Sequence, residues 1–144
     1  MIVKCIAELP TRDQAKRLGE HYRAGKQAFG VVPGTEYIVF ALKTLGGEPW
    51  VEITDSDLNP GYLWGVPLCL FEIVNPRLSA LWEARLAKNG ELQLSPPSFG
   101  RDYYHDDLIE GVDEVVADFR RVRQELEKEA DLHRRAASLR AVLS

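Results

Sequence analysis

The sequence predicts an α+β fold, with a mainly antiparallel, twisted sheet of five or six strands and two principal helices packed on one face. Three observations lead to this class: a long amphipathic helix near the C-terminus, a shorter helix near the N-terminus, and several strand patterns separated by turn residues. Because helices do not alternate regularly with the strands, a doubly wound parallel sheet is not expected.

The C-terminal helix is predicted over residues 112–129. Its apolar side chains recur at spacings of three and four, which is the helical period, and charged side chains fill the opposite face. The apolar residues are Val112, Val115, Val116, Phe119, Val122 and Leu126. An isolated helix of this kind is marginal in water, so we expect it to cover the sheet.

Length and composition limit the class of protein. The chain has 144 residues, 45% of them hydrophobic and 28% charged, which suits a single globular domain over 1–144. A net charge of −4 disfavours a general binder of nucleic acid or anionic membranes. No apolar run approaches the ~20 residues of a membrane span. Cys5 and Cys69 lie in apolar runs, which favours free thiols and a cytoplasmic location.

Strand and helix signals follow one another in the first half of the chain. Residues 2–9 are a predicted strand, and Thr11 with Gln14 has the spacing of a capping box that begins a helix over 11–24. Strand patterns at 36–45 and 50–54 predict an antiparallel hairpin, the second one half-buried because apolar and polar residues alternate. The apolar run 66–74 is expected at the centre of the sheet.

A second hairpin is predicted around Asn89 and Gly90, with flanking strands near 80–87 and 91–95. This dipeptide is typical of a type I′ turn, which needs positive φ at both central residues. Farther along the chain, Asp107 and Glu110 have the spacing of another capping box, with Asp107 as the cap.

The loop at 55–65 contains a partial calcium-site pattern. Asp55, Asp57 and Asn59 have the 1-3-5 spacing of an EF-hand loop. However, Pro60 stands where that loop needs glycine, and Val66 stands where it needs a bidentate glutamate. A calcium site is therefore not expected.

Two aromatic residues of the same loop, Tyr62 and Trp64, allow two interpretations. Binding anchors are enriched in Trp and Tyr, so these rings are candidate contacts for a partner. Alternatively, both rings fold back over the edge of the sheet.

The segment 103–110 carries the best candidate for acid–base chemistry. It contains two tyrosines, one histidine and three acids: Tyr103, Tyr104, His105, Asp106, Asp107 and Glu110. An imidazole beside carboxylates can transfer protons near neutral pH. Adjacent residues on a helix do not face one another, however, and the acids also suit a helix start. The sequence has no nucleotide-binding, nucleophile-elbow or zinc-ligand pattern, so no catalytic residue, metal or cofactor is expected.

We therefore expect a non-catalytic protein-binding domain. Its most concrete form is a bacterial toxin-neutralising, immunity-type protein that blocks a basic partner with an acidic and aromatic surface. This hypothesis is an analogy from size, charge and lack of chemical motifs. The candidate contact residues are Asp55, Asp57, Tyr62, Trp64, Tyr103, Tyr104, His105, Asp106, Asp107 and Glu110. The alternative is a small enzyme or ligand-binding domain that uses His105 with nearby carboxylates.

The tail, 130–144, supports a third hypothesis. Leu132, Ala136, Leu139 and Leu143 again have helical spacing, but Leu132 lies about 240° around the axis from Leu126. This second apolar stripe predicts a helical extension that contacts a partner or forms a homodimer.

Overall fold

The computed structural model describes residues 1–55 and 61–144. These residues form eight strands and three α-helices, and the predicted α+β class with antiparallel strands and a long C-terminal helix is confirmed. In chain order the elements are β1 (Ile2–Cys5), α1 (Arg12–Leu18), β2 (Glu36–Ile38), β3 (Ala41–Leu45), β4 (Glu48–Ile53), β5 (Trp64–Pro67), β6 (Phe71–Asn75), β7 (Glu83–Leu86), β8 (Leu92–Ser95), α2 (Tyr104–Ile109) and α3 (Asp113–Leu143).

The strands form two sheets where the sequence predicted one. The small sheet has the order β2-β1-β6, and the large sheet has the order β5-β4-β3-β8-β7. The division falls between β2 and β3, because consecutive amides there bond to different sheets. The amide of Val39 donates to the carbonyl of Met1, and the next amide, of Phe40, donates to the carbonyl of Glu52.

The apolar run expected at the centre of the sheet is also divided. A 3-10 turn at Leu68–Leu70 separates β5 from β6, and each of these strands lies at the edge of its own sheet. Leu70 is fully buried. A continuous apolar run therefore marks the buried junction between two sheets here, which periodicity alone does not distinguish from a central strand.

Both predicted hairpins are present. Strands β3 and β4 pair from Ala41 with Glu52 to Leu45 with Glu48, and β7 pairs with β8. Gly90 has a φ of 88°, but Asn89 does not have a positive φ, so the hairpin forms without the predicted type I′ turn. Strand β4 differs from the prediction of a half-buried strand, because its residues from Trp50 to Ile53 are all buried.

Helix α1 begins as predicted and ends early. The hydroxyl of Thr11 accepts from the amide of Gln14, and the Gln14 side chain accepts from the amide of Thr11, so the capping box is confirmed. The helix ends at Leu18, before the expected residue 24, because Gly19 takes a positive φ and begins a 3-10 turn.

Helix α3 runs for 31 residues, about 46 Å. Its buried side chains from Val115 to Leu126 lie on one face and belong to a hydrophobic cluster with Phe40, Leu63, Phe99 and α2. Leu18 of α1 belongs to a different cluster, between the two sheets. The two helices expected on one face thus cover separate clusters, and α2 lies on the cluster that α3 covers.

Candidate functional site

Helix α2 presents one polar face and one apolar face. Tyr104 and Leu108, four residues apart, are buried against α3 and the large sheet. Asp106, Ile109 and Glu110 fall on the opposite side and are exposed. This division follows from helix geometry, in which residues three and four apart share a face.

Tyr103 stands at the start of α2 in a strained conformation. Its φ is 61°, and it is the one residue other than glycine with positive φ in the part of the chain that the structure describes. Such a conformation costs on the order of 1–3 kcal/mol and is often found at functional sites. Its ring is nevertheless 75% exposed, so burial of the ring does not explain the strain. Tyr103 also replaces Asp107 as the N-cap, so the predicted capping box at Asp107 is wrong.

Two depressions flank Ile109. One is lined by the segment from Tyr103 to Glu110, and the other by residues that include Tyr62 and Val116. Ile109 is 68% exposed and lines both depressions. We call this continuous patch the acidic surface, and define it as Tyr62, Tyr103, Asp106, Ile109 and Glu110.

The acids of this segment differ in their partners. A carboxylate oxygen of Asp107 lies 3.2 Å from a guanidinium nitrogen of Arg101, which partly neutralises it. Asp106 and Glu110 form no ion pair with any residue that the structure describes. The acidic surface therefore combines unneutralised negative charge with exposed apolar and aromatic side chains.

A buried acid of the large sheet forms a hydrogen bond with α2. Glu52 of β4 is 3% exposed, and both of its carboxylate oxygens have partners. One oxygen lies 2.8 Å from Nε2 of His105, and the other lies 3.3 Å from Nζ of Lys43. A hydrogen bond thus joins the large sheet to α2 at the residue that precedes Asp106.

The ionisation of Glu52 fixes the role of His105. Burial by itself raises the pKa of Glu52, but hydrogen bonds and attraction from His105 and Lys43 outweigh burial and hold that pKa below its usual value. An ionised carboxylate only accepts hydrogen bonds, so Nε2 of His105 carries the proton. The imidazole also makes edge contacts with the rings of Phe99 and Tyr104.

A second buried hydrogen bond joins α2 to α3. The hydroxyl of Tyr104 donates to Asp118 at 2.7 Å, and Arg121 also bonds to that carboxylate. Burial, together with the adjacent charge of Asp118, raises the pKa of Tyr104 far above its usual value. Burial also opposes ionisation of Asp118, but the hydrogen bonds to its carboxylate outweigh burial, so the pKa of Asp118 is lowered. Helix α2 is therefore fixed to both the sheet and α3.

The hydrogen bond of Tyr104 predicts how stability changes in alkali. Because its folded pKa is raised, the neutral phenol contributes stability up to the unfolded pKa of about 10, and this contribution falls as the pH rises further. We expect a loss of about 1.4 kcal/mol per pH unit from this residue. Urea unfolding between pH 9 and 11 should show that Tyr104→Phe loses less stability over this range than the wild type. Parallel curves for the two proteins would contradict the assignment.

The other candidate contact residues lie outside the acidic surface, although the ring of Trp64 contacts that of Tyr62, with centroids 5.4 Å apart. Tyr104 is 2% exposed, so it supports α2 and does not reach a partner. Trp64 is half-buried, and its indole nitrogen donates to the carbonyl of Phe29 at 2.8 Å. Asp55 lines a different cavity, beside β2. Asp57 lies outside the described residues.

Sequence reasoning missed three residues of this region. Ile109 lies inside the predicted capping box, and nothing in its spacing reveals that its side chain is exposed. Glu52 occupies a polar position in an alternating strand pattern, which predicts exposure. Asp118 lies among the many charges of α3, and nothing in its spacing marks it as the partner of Tyr104.

The described residues form neither a metal-binding cluster nor a membrane-spanning helix. No cluster of three or more His, Cys, Asp or Glu side chains among the described residues is arranged to hold a metal ion. No helix in the described part of the chain is long and apolar enough to cross a membrane. Comparisons with protein-family models, curated proteins and solved structures found no match to this chain.

Proposed function

We propose that this chain is a non-catalytic protein-binding domain whose acidic surface docks onto a basic protein. One observation carries the proposal: Tyr103 is held exposed in a strained conformation next to the unneutralised acids Asp106 and Glu110. Its most concrete form is a bacterial immunity-type protein that neutralises a basic toxin by covering the toxin's active site.

The composition of the acidic surface supports docking onto a protein. Protein interfaces place aromatic and apolar anchors at the centre and charged groups at the rim. Ile109 and Tyr103 supply the anchors, and Asp106 and Glu110 supply the charged rim. Negative charge at a rim steers a basic partner and mainly changes the association rate.

The contacts of His105 give it a structural role in this proposal. Nε2 of His105 donates to Glu52, and aromatic rings pack against the imidazole. These contacts suit a residue that positions α2. The alternative of acid–base catalysis would require Nδ1, the nitrogen that does not face Glu52, to reach a substrate.

Capture from lysate of the source organism tests the proposal. We expect the tagged wild-type chain to retain one stoichiometric basic protein at low salt and to lose it as salt rises. The variant Asp106→Lys/Glu110→Lys should fail to retain it. Glu8→Lys/Glu83→Lys is the control, because it makes the same change of charge at exposed positions elsewhere and should still capture the protein. Equal capture by both variants would reject the acidic surface as the site.

A captured partner also allows a test of neutralisation. If the partner is a toxin, the purified wild-type chain should abolish its activity at a one-to-one ratio, and the Asp106→Lys/Glu110→Lys variant should not. Full toxin activity in the presence of bound wild-type chain would support protein binding without neutralisation.

The tail supports a homodimer as a second candidate. Helix α3 continues without a break to Leu143, and Leu132, Leu139 and Leu143 are all exposed there. Ala136, on the same stripe, is half-buried. Leucines exposed in a row along a helix need a partner in order to be buried.

The tail gives a prediction of its own. The tail has three arginines and one acid, Asp131, so two tails carry net charge of the same sign and a tail dimer should strengthen as salt rises. Sedimentation equilibrium should give a dimer mass for the wild type and a monomer mass for Leu139→Glu/Leu143→Glu. A monomer for the wild type at every salt concentration would remove this candidate.

A further inference from the structure

A cavity of approximately 430 Å³ lies between β2, the end of β4 and α3. Its lining includes Tyr37, Thr54, Trp64 and Arg123, and it shares no residue with the acidic surface. Its volume falls within the range of about 300–1,000 Å³ that is usual for ligand sites. Two residues that the sequence analysis named as candidate contacts, Asp55 and Trp64, line it.

Hydrogen bonds to β1 fix the direction in which the backbone of β2 points. The amide of Cys5 donates to the carbonyl of Thr35, and the amide of Val39 donates to the carbonyl of Met1. Hydrogen-bonded positions alternate along antiparallel strands. Tyr37 pairs with Val3 and lies two residues from both Thr35 and Val39. The N–H and C=O groups of Tyr37 therefore also point toward β1.

It follows that the N–H and C=O groups of Glu36 and Ile38 point away from β1. In the described part of the chain, β2 pairs with β1 and with no other strand. Both residues line the cavity. The cavity therefore adjoins a strand edge with backbone donors and acceptors, which is the arrangement that accepts an additional strand.

A polar side chain adds to this lining. Thr54 is 8% exposed, and its hydroxyl has no hydrogen-bond partner among the described residues. Buried hydroxyl groups usually have a partner, so an unpartnered one beside a cavity suggests a bound polar group.

The cavity is lined by three acids, Glu36, Asp55 and Glu127, and by two arginines, so it carries no excess of positive charge. Nε of Arg123 lies 3.1 Å from Glu127, and its guanidinium also reaches the carbonyl of Asp55 at 3.5 Å. Arg134 lies 3.9 Å from Glu36. Because each arginine already faces a carboxylate, the cavity does not favour a phosphate or another strong anion. Together with the aromatic rings of Tyr37 and Trp64, it suits a neutral polar chain.

We propose that this cavity binds an extended peptide segment of a partner protein, which adds as a strand to the edge of β2 at Glu36 and Ile38. The main chain of the peptide pairs with β2, and alternate side chains of the peptide pack against Tyr37 and Trp64. This site shares no residue with the acidic surface, which it meets where Trp64 contacts Tyr62.

A phage-displayed library of random eight-residue peptides, selected on the full chain, supplies the probe. Selected peptides should lose binding at least tenfold when alternate amides are N-methylated, and should tolerate methylation of the intervening amides, because one edge of the added strand pairs with β2. Ile38→Pro should also bind at least tenfold more weakly, since it removes an outward N–H, while Ile38→Val should bind normally. Asp106→Lys/Glu110→Lys should bind these peptides as the wild type does.

Amide hydrogen exchange of the wild-type chain gives a test that does not depend on the folding of a variant. On addition of a selected peptide, the amides of Glu36 and Ile38 should exchange at least tenfold more slowly, and that of Tyr37 should be slow in both states. Failure to select any peptide, equal sensitivity to methylation at every amide, or protection at Tyr103 and Ile109 in place of β2 would each overturn the proposal.

Discussion

Replacing Phe119 by alanine is expected to lower the free energy of unfolding by about 3–5 kcal/mol. The side chain of Phe119 is fully buried in the cluster that α2 and α3 share, and its ring stacks on Phe40 with centroids 5.6 Å apart. The loss combines the transfer free energy of the ring with the cavity that it leaves. Urea denaturation at pH 7 measures it.

The control for Phe119 lies on the same helix. Arg120→Ala removes an exposed side chain and should change the free energy of unfolding by less than about 0.5 kcal/mol. A loss below about 1 kcal/mol for Phe119→Ala would mean that α3 does not organise the core as described.

Removing the imidazole of His105 is expected to have the second-largest effect. Taking one partner from a fully buried ion pair costs about 3–5 kcal/mol. Here His105 is partly exposed, and Lys43 still faces Glu52, so we expect about 2 kcal/mol for His105→Ala at pH 7. The double variant with Glu52→Gln should lose less than the sum of the single losses, because the buried charge is gone.

The pH dependence of His105→Ala follows from the lowered pKa of Glu52. That carboxylate contributes stability above its unfolded pKa of about 4.3, and the contribution is lost as the pH falls toward the folded pKa. The difference between the wild type and His105→Ala should therefore shrink below about pH 4. A difference that stays constant from pH 7 to pH 3 would show that His105 contributes packing alone.

Local sequence signals predicted the local elements well. The stripe from Val115 to Leu126 lies on the buried face of α3, the Asn89-Gly90 hairpin is present, and the capping box at Thr11 forms. Each of these depends on residues close together in the chain. The division into two sheets depends on which acceptors the amides of Val39 and Phe40 find. The acceptor for Phe40 lies across the local hairpin, whereas Met1, the acceptor for Val39, is far away in sequence.

The sequence predicted the exposed residues of the candidate site but not the buried hydrogen bonds that hold α2 in place. Tyr103, Asp106 and Glu110 stood out because aromatic and acidic residues are concentrated in one segment, and all three are exposed. The bond between His105 and Glu52 joins residues 53 positions apart, so no spacing rule reveals it. The cavity beside β2 likewise exists only because strands and α3 meet in space.

The most direct test of the acidic surface is site-specific photo-crosslinking in living cells of the source organism. A benzophenone amino acid placed at position 103 should give one adduct, with a basic protein. The same group at Lys88, on the exposed tip of the second hairpin, should give none. No adduct at position 103, or the same adducts at both positions, would contradict the proposal that this surface binds a protein partner.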